Sequence, residues 1–215
     1  MEYQMAFKWP AGDPRCGATM ITDQIALTAA HCVQKSEEGM NPGLSVTMSN
    51  GATYGIKEFR SHDCWDFTEN GDHNADIAMM ILDKPIPGAK KGVHYVDTWN
   101  TAKMGNVVGK TMTLAGWGSS GAIREDGTAN HFTEGMDIFH RGYNVITAVN
   151  GNVLEFYMDR PGQGGIELEV AGYYGDSGSG GFVTDDKGQM RIAGVCSHGD
   201  GTSWGAYHGY AQVGG

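Results

Sequence analysis

Three glycine-bearing turn signals, each set between two strand-like runs, constrain the fold of this chain more than any other feature. Ser45–Met48 and Ala52–Ile56 flank Asn50-Gly51, and Val145–Val149 and Val153–Met158 flank Asn150-Gly151. Phe182–Thr184 and Met190–Val195 flank Asp186-Lys187-Gly188. Asn-Gly favours the positive φ values that two-residue hairpins need, so the pattern predicts antiparallel pairs closed by tight turns. Further strands are predicted at Thr19–Thr28, Ile77–Leu82, Thr111–Ala115, Ile166–Val170 and Tyr207–Val213. Many short strands spaced by turns are the pattern of sandwiches and barrels. Helical periodicity is poor throughout, and Thr28–Val33 offers at most a turn or two. Glycine supplies 34 of 215 residues, about twice its usual share, which suits a loop-rich β protein and argues against a helical bundle.

Between the two halves of this pattern lies a polar stretch, Asp83 to Gly105, bearing Pro85, Pro87 and Gly88 and lacking any sustained period. It reads as the connection between two β units, residues 1–95 and 96–215, although a long loop within one sandwich fits the pattern too. The longest apolar run, Ile77 to Leu82, is six residues, too short to cross a bilayer. A formal charge of −10 argues against nucleic acid or an anionic membrane as partner, since either favours a basic face. The four cysteines, Cys16, Cys32, Cys64 and Cys196, include no C-x-x-C pair, which argues against a structural zinc site. Their even count is compatible with disulfides and an oxidising compartment without requiring either. Met1–Gln4 opens without a charged n-region and apolar h-region, leaving an intracellular protein, a processed form or a fragment as the readings.

The segment richest in chemical potential is Gly175-Asp176-Ser177-Gly178-Ser179-Gly180-Gly181. A serine among glycines has open backbone amides around it and little bulk to block approach, which suits a nucleophile whose oxyanion is held by main-chain N–H groups. A flexible Gly/Ser turn is the plainer alternative. The segment is not the G-x-S-x-G elbow of α/β-hydrolases, because Ser179 takes the place of the last glycine. A serine nucleophile needs a base, and the base an orienting carboxylate. His31 follows the small, apolar run Ile25–Ala30, and Asp76 immediately precedes the most apolar strand. A carboxylate at the mouth of a buried strand needs hydrogen-bond partners. Singly, each is equally an ordinary core-edge histidine or a turn cap.

Together, Leu27-Thr28-Ala29-Ala30-His31-Cys32, Asp76-Ile77-Ala78-Met79 and Gly175-Asp176-Ser177-Gly178 resemble the trypsin/chymotrypsin family of serine endopeptidases. Supporting matches are Tyr3–Phe7, Cys16–Ile21, Leu114-Ala115-Gly116-Trp117-Gly118 and Gly194–Gly199, and the order His, Asp, Ser also fits. The resemblance implies an all-β fold of two perpendicular, antiparallel, six-stranded barrels with the active site between them. It implies His31, Asp76 and Ser177 as catalytic triad, the amides of Gly175 and Ser177 as oxyanion hole, and a Cys16–Cys32 disulfide. Ala171, Gly172, Ser197, His198 and Gly199 would contact substrate. It further implies protein or peptide substrates, protein inhibitors as possible partners, a secreted monomer, and neither cofactor nor metal.

Several positions depart from the family pattern. Ala171 stands at the expected pocket floor and supplies no carboxylate for Arg or Lys, so an apolar, aromatic or small P1 side chain is expected. His198 stands where Trp is usual, which raises acidic side chains as a variant preference. Tyr173 replaces one half-cystine of the usual pocket disulfide, leaving Cys64 and Cys196 either paired to each other or free. Asp176 lacks an evident cation, and neither end follows the family pattern, so a longer precursor with signal peptide and pro-segment is expected. The Leu44–Ile56 region contains no Asp or Glu, and the acidic Glu69-Asn70-Gly71-Asp72 loop lacks alternating calcium ligands. The rival reading is a catalytically inactive, protease-like binding module.

Overall fold

A computed structural model describes residues 4–8, 14–37, 44–65, 75–93, 95–132 and 138–214. The Glu69–Asp72 loop lies outside them. Six strands form a closed barrel: β1 (Gln4–Lys8), β2 (Pro14–Met20), β3 (Ile25–Thr28), β4 (Ser45–Met48), β5 (Thr53–Ser61) and β6 (Ala78–Leu82). Their order around it is β1-β2-β3-β6-β5-β4. An eight-residue helix, α1 (Ala30–Glu37), follows β3, and a short helix, α2 (Thr101–Met104), lies in the connecting stretch.

The second half comprises β7 (Thr111–Gly116), β8 (Ser120–Ile123), β9 (Ala129–Phe132), β10 (His140–Val145), β11 (Ala148–Asn150), β12 (Val153–Tyr157), β13 (Gly180–Thr184), β14 (Met190–Gly199) and β15 (Tyr207–Gln212). Seven of these form one curled sheet in the order β10-β7-β13-β14-β15-β12-β11, and β8 and β9 pair apart from it. The fold is the expected all-β, chymotrypsin-like one. In detail the second sheet carries seven strands, the three-residue β11 extending its edge.

All three turn signals close hairpins, with local differences in register. Gly51 adopts φ +83°, and Met48 N–H bonds to Ala52 O, leaving three residues in the loop. A glycine at the left-handed position of a three-residue loop is a common solution. At the second signal Asn150 pairs with Val153, so the turn falls on Gly151-Asn152, one place beyond the Asn-Gly pair. Thr19–Thr28 is not one strand: it breaks at residues 21–24, where Ile21 and Thr22 N–H both bond to Ile25 O. Ile166–Val170 is not a strand either. Leu168 takes φ +55° and is 66% exposed, and only an isolated bridge joins Tyr143 to Glu169.

Burial explains how the halves are joined. Alternate residues of β4 and β6 point inward, including Val46, Met48, Met80 and Leu82. Phe182, Ile192 and Val195 from the second sheet belong to the same apolar cluster, so the first core continues across to β13 and β14. A second cluster, around Trp99, Phe156, Leu154 and Tyr210, fills the other sheet.

Candidate active site

His31 and Asp76 meet because of how β3 and β6 pair. The antiparallel register sets Thr28 opposite Ala78, so the residues just beyond β3 face those just before β6. Ala26, Ala29 and Ala30 are fully buried, which draws the chain into the core up to the start of α1 and leaves His31 at its edge. Asp76 sits at the centre of a tight turn in which Ile77 N–H bonds to Ala75 O at 2.7 Å. Ala75 enters that turn at φ +64°, a left-handed conformation uncommon for alanine.

The Asp76 side chain is wholly buried, yet three donors satisfy it. His31 N–H donates to Oδ1 at 2.9 Å, His31 Nδ1 to Oδ2 at 2.7 Å, and Ser197 Oγ to Oδ2 at 2.6 Å. Burial pushes this carboxyl upward, but the His31 and Ser197 hydrogen bonds and the imidazole's charge outweigh it and hold the pKa below the ordinary value. Because an ionised carboxylate only accepts, Nδ1 of His31 carries a proton. In the neutral ring Nε2 is then the basic nitrogen. It lies 3.7 Å from Cys32 Sγ.

Cys16 and Cys32 form the expected disulfide, which ties β2 to α1 immediately after His31. Cys64 is free and exposed and Cys196 free and buried, so these two do not pair. Burial raises the Cys196 thiol far above its ordinary value, which makes it an inert apolar filler.

Ser177 reaches the same region from the second half. Its carbonyl accepts a 2.7 Å bond from Gly17 N–H on β2, and Gly178 N–H bonds to Cys196 O on β14. Gly178 packs so closely that an added Cβ would lie 2.3 Å from both Gly17 O and Thr28 Oγ1 and 3.1 Å from Ala29 N. Ser177 is thereby placed against the residues that lead into His31. Among the described residues no hydrogen bond joins Ser177 Oγ to His31 Nε2, and the amides of Gly175 and Ser177 have no acceptor. Gly175 holds φ +91°, a conformation that glycine tolerates.

The Asp176 carboxylate turns away from Ser177 toward β7. It accepts from Gly118 N–H at 2.9 Å and Tyr173 N–H at 3.0 Å, and sits so near Gly116 that a Cβ there would fall 2.0 Å from Oδ1. Burial raises its pKa, against the pull of those two amides and of His140.

These contacts bring His31 and Asp76 together and set the Ser177 loop against the residues that lead into His31. A family model described as Trypsin matches residues 1–214. The chain belongs to the trypsin family. Among relatives, it is 27% identical over 204 residues to transmembrane protease serine 11E of Mus musculus, covering 92% of this chain and 45% of that protein. It is 30% identical over 107 residues to seminase of Drosophila melanogaster, covering 48% and 36%. A venom serine protease of Polistes dominula is 27% identical over 116 residues, covering 51% and 42%. The chain thus aligns with less than half the length of each of these trypsin-family relatives.

The residues expected to contact substrate divide into two groups. Ala171 and Gly172 line a cavity of about 450 Å³ beside the Asp176 loop. The Ser197 hydroxyl bonds to Asp76, and His198 is held between Ser197 Oγ at 3.1 Å and Tyr207 OH at 3.3 Å. Gly199 lies against His208, whose Nδ1 would be 2.6 Å from a Cβ at that glycine. Two roles escaped the sequence reading. Ser197 as a donor to Asp76 has no local motif. His208 lining the cavity is signalled only by a polar residue within the Tyr207–Val213 strand.

Proposed function

We propose that this chain is a serine endopeptidase in which His31, Asp76 and Ser177 act as the triad. Ser177 Oγ attacks the scissile carbonyl carbon while its proton passes to His31 Nε2. The C–N bond then breaks, and His31 returns that proton to the leaving amine. Water, deprotonated by the same nitrogen, releases the acyl group from Ser177. Asp76 holds the Nδ1–H tautomer and stabilises the imidazolium. The amides of Gly175 and Ser177 receive the oxyanion, at about 3 kcal/mol per donor. The observation that carries this reading is the Asp76 carboxylate, whose three donors fix the His31 tautomer beside the Ser177 loop.

The P1 preference is for uncharged side chains, apolar, aromatic or small, because Ala171 offers no carboxylate. The Glu169 carboxylate at the same cavity already accepts Asp159 and Ile166 N–H, and Asp176 accepts two amides. The natural setting proposed is extracellular and monomeric, with protein or peptide substrates, protein inhibitors as possible partners, and two β units meeting near residue 95. The Cys16–Cys32 disulfide supports an oxidising compartment. Peptides varied at P1 test the reading: turnover with Phe, Leu or Ala, abolished by Ser177→Ala, is expected. Faster cleavage after Arg overturns the pocket assignment, and turnover that survives Ser177→Ala overturns the triad.

A further inference from the structure

The cavity that Ala171 and Gly172 line also receives His208 and Tyr210 from β15. Being two apart on one strand, His208 and Tyr210 share a face, and Tyr210 OH lies 3.5 Å from where a Cβ on Gly172 would stand. The His208 ring stacks on Phe156 with centroids 5.7 Å apart and an interplanar angle of 17°. It is 4% exposed, and among the described residues its Nε2 has no hydrogen-bond partner. An unpartnered buried imidazole nitrogen is costly to the free protein, and most such groups in proteins are satisfied. His140, the other cavity-lining ring whose Nε2 has no partner among the described residues, acts instead on the Asp176 carboxylate, whose pKa it pulls down.

Resting on the endopeptidase reading, we propose that His208 is a specificity-determining residue, whose imidazole N–H donates to a P1 side chain ending in a carboxamide, glutamine above all. Two observations favour a carboxamide over a carboxylate. Burial lowers the His208 pKa, against the pull of Asp200, which keeps the ring neutral near pH 7. Asp176 and Glu169 already place two acidic groups at the cavity. A P1 carboxylate would place a charged group opposite a neutral ring in a cavity that already holds two acidic residues, whereas a carboxamide oxygen accepts the N–H without a net charge.

The test compares kcat/KM for peptides identical except for Gln, Met, Glu or Arg at P1, using the full chain and His208→Phe. Met matches Gln in length and lacks the acceptor, and Phe keeps an aromatic ring to stack on Phe156. In the unaltered chain Gln is expected to exceed Met about tenfold, the worth of one neutral hydrogen bond. In His208→Phe the Gln and Met values should become equal. Parity of Gln and Met in an enzyme that takes a fluorophosphonate label, or Glu exceeding Gln at pH 7, overturns this inference and leaves the endopeptidase reading standing. A chain that takes no label and cleaves none of the four overturns both. Should His208→Phe fail to fold, the Gln-to-Met ratio of the unaltered chain decides alone.

Discussion

Two aspartates flank the candidate site, and the fold treats them in opposite ways. Asp76 has no exposed surface, yet two hydrogen bonds from His31 and one from Ser197 hold its carboxyl below the ordinary pKa. Among the described residues Asp176 has only the Gly118 and Tyr173 amides as donors, and burial wins, raising its pKa. The difference teaches that the number and kind of donors, rather than burial, decides whether a buried carboxylate is a stable charge. The first half of the site is self-sufficient. The second depends on a carboxylate that the surrounding protein leaves under-compensated.

Removing the charge of Asp76 while keeping its shape should break this contrast most severely. Asp76→Asn is expected to lower kcat about 10⁴-fold, because the amide no longer enforces the Nδ1–H tautomer. It should also cost about 2 kcal/mol of stability at pH 7. Because the folded Asp76 pKa is depressed, its contribution is present above the unfolded value and lost as pH falls through the folded one. The acid limb in denaturant titrations should therefore diminish in Asp76→Asn. For Asp176 the sign reverses: a raised pKa means stability present at low pH and lost as pH rises through the folded value. Asp176→Asn should flatten the curve on that side, and two variants with the same pH dependence would refute the contrast.

Next in size is the contact that joins the halves. Gly178→Ala would force a Cβ to 2.3 Å from Gly17 O and Thr28 Oγ1 at φ +82°. A loss of about 3 kcal/mol is expected from overpacking and backbone strain. Gly51→Ala shares a positive φ, +83°, with nothing among the described residues within 4 Å of the new Cβ, and should cost only about 1 kcal/mol in thermal unfolding. Equal losses would mean that Gly178 is not the close contact described.

Smaller than the Gly178 effect is that of removing one donor from Asp76. Ser197→Ala leaves both His31 bonds in place and should cost about 1.5 kcal/mol, with the Asp76 pKa moving up toward its ordinary value. A shift of the acidic limb of kcat/KM to higher pH distinguishes this positioning role from a substrate contact, which would move KM alone.

Much of this arrangement is legible in the residues. The three turn signals become hairpins because glycine is placed where positive φ is needed, at Gly51, Gly151 and Gly188. His31 and Asp76 are readable because small buried residues and an apolar strand deliver them to one barrel edge. Ile166–Val170 misleads because alternation is overruled by local polar ties: the Glu169 carboxylate accepts from Ile166 N–H, three residues back, and from Asp159 N–H. The β8–β9 hairpin had a signal, Asp126-Gly127, with Asp126 Oδ1 accepting from Thr128 N–H, but weakly strand-like flanks obscure it. Ser197 and His208 were illegible in their roles because each depends on partners brought together only by the folded sheets: Asp76 lies 121 residues before Ser197.

The most direct measurement of the central claim is fluorophosphonate labelling of the intact chain, with the modified residue located by mass spectrometry. The account predicts stoichiometric modification at Ser177, slowed strongly by His31→Ala and by Asp76→Asn. Absence of labelling, modification at another serine, or labelling indifferent to His31 would contradict it.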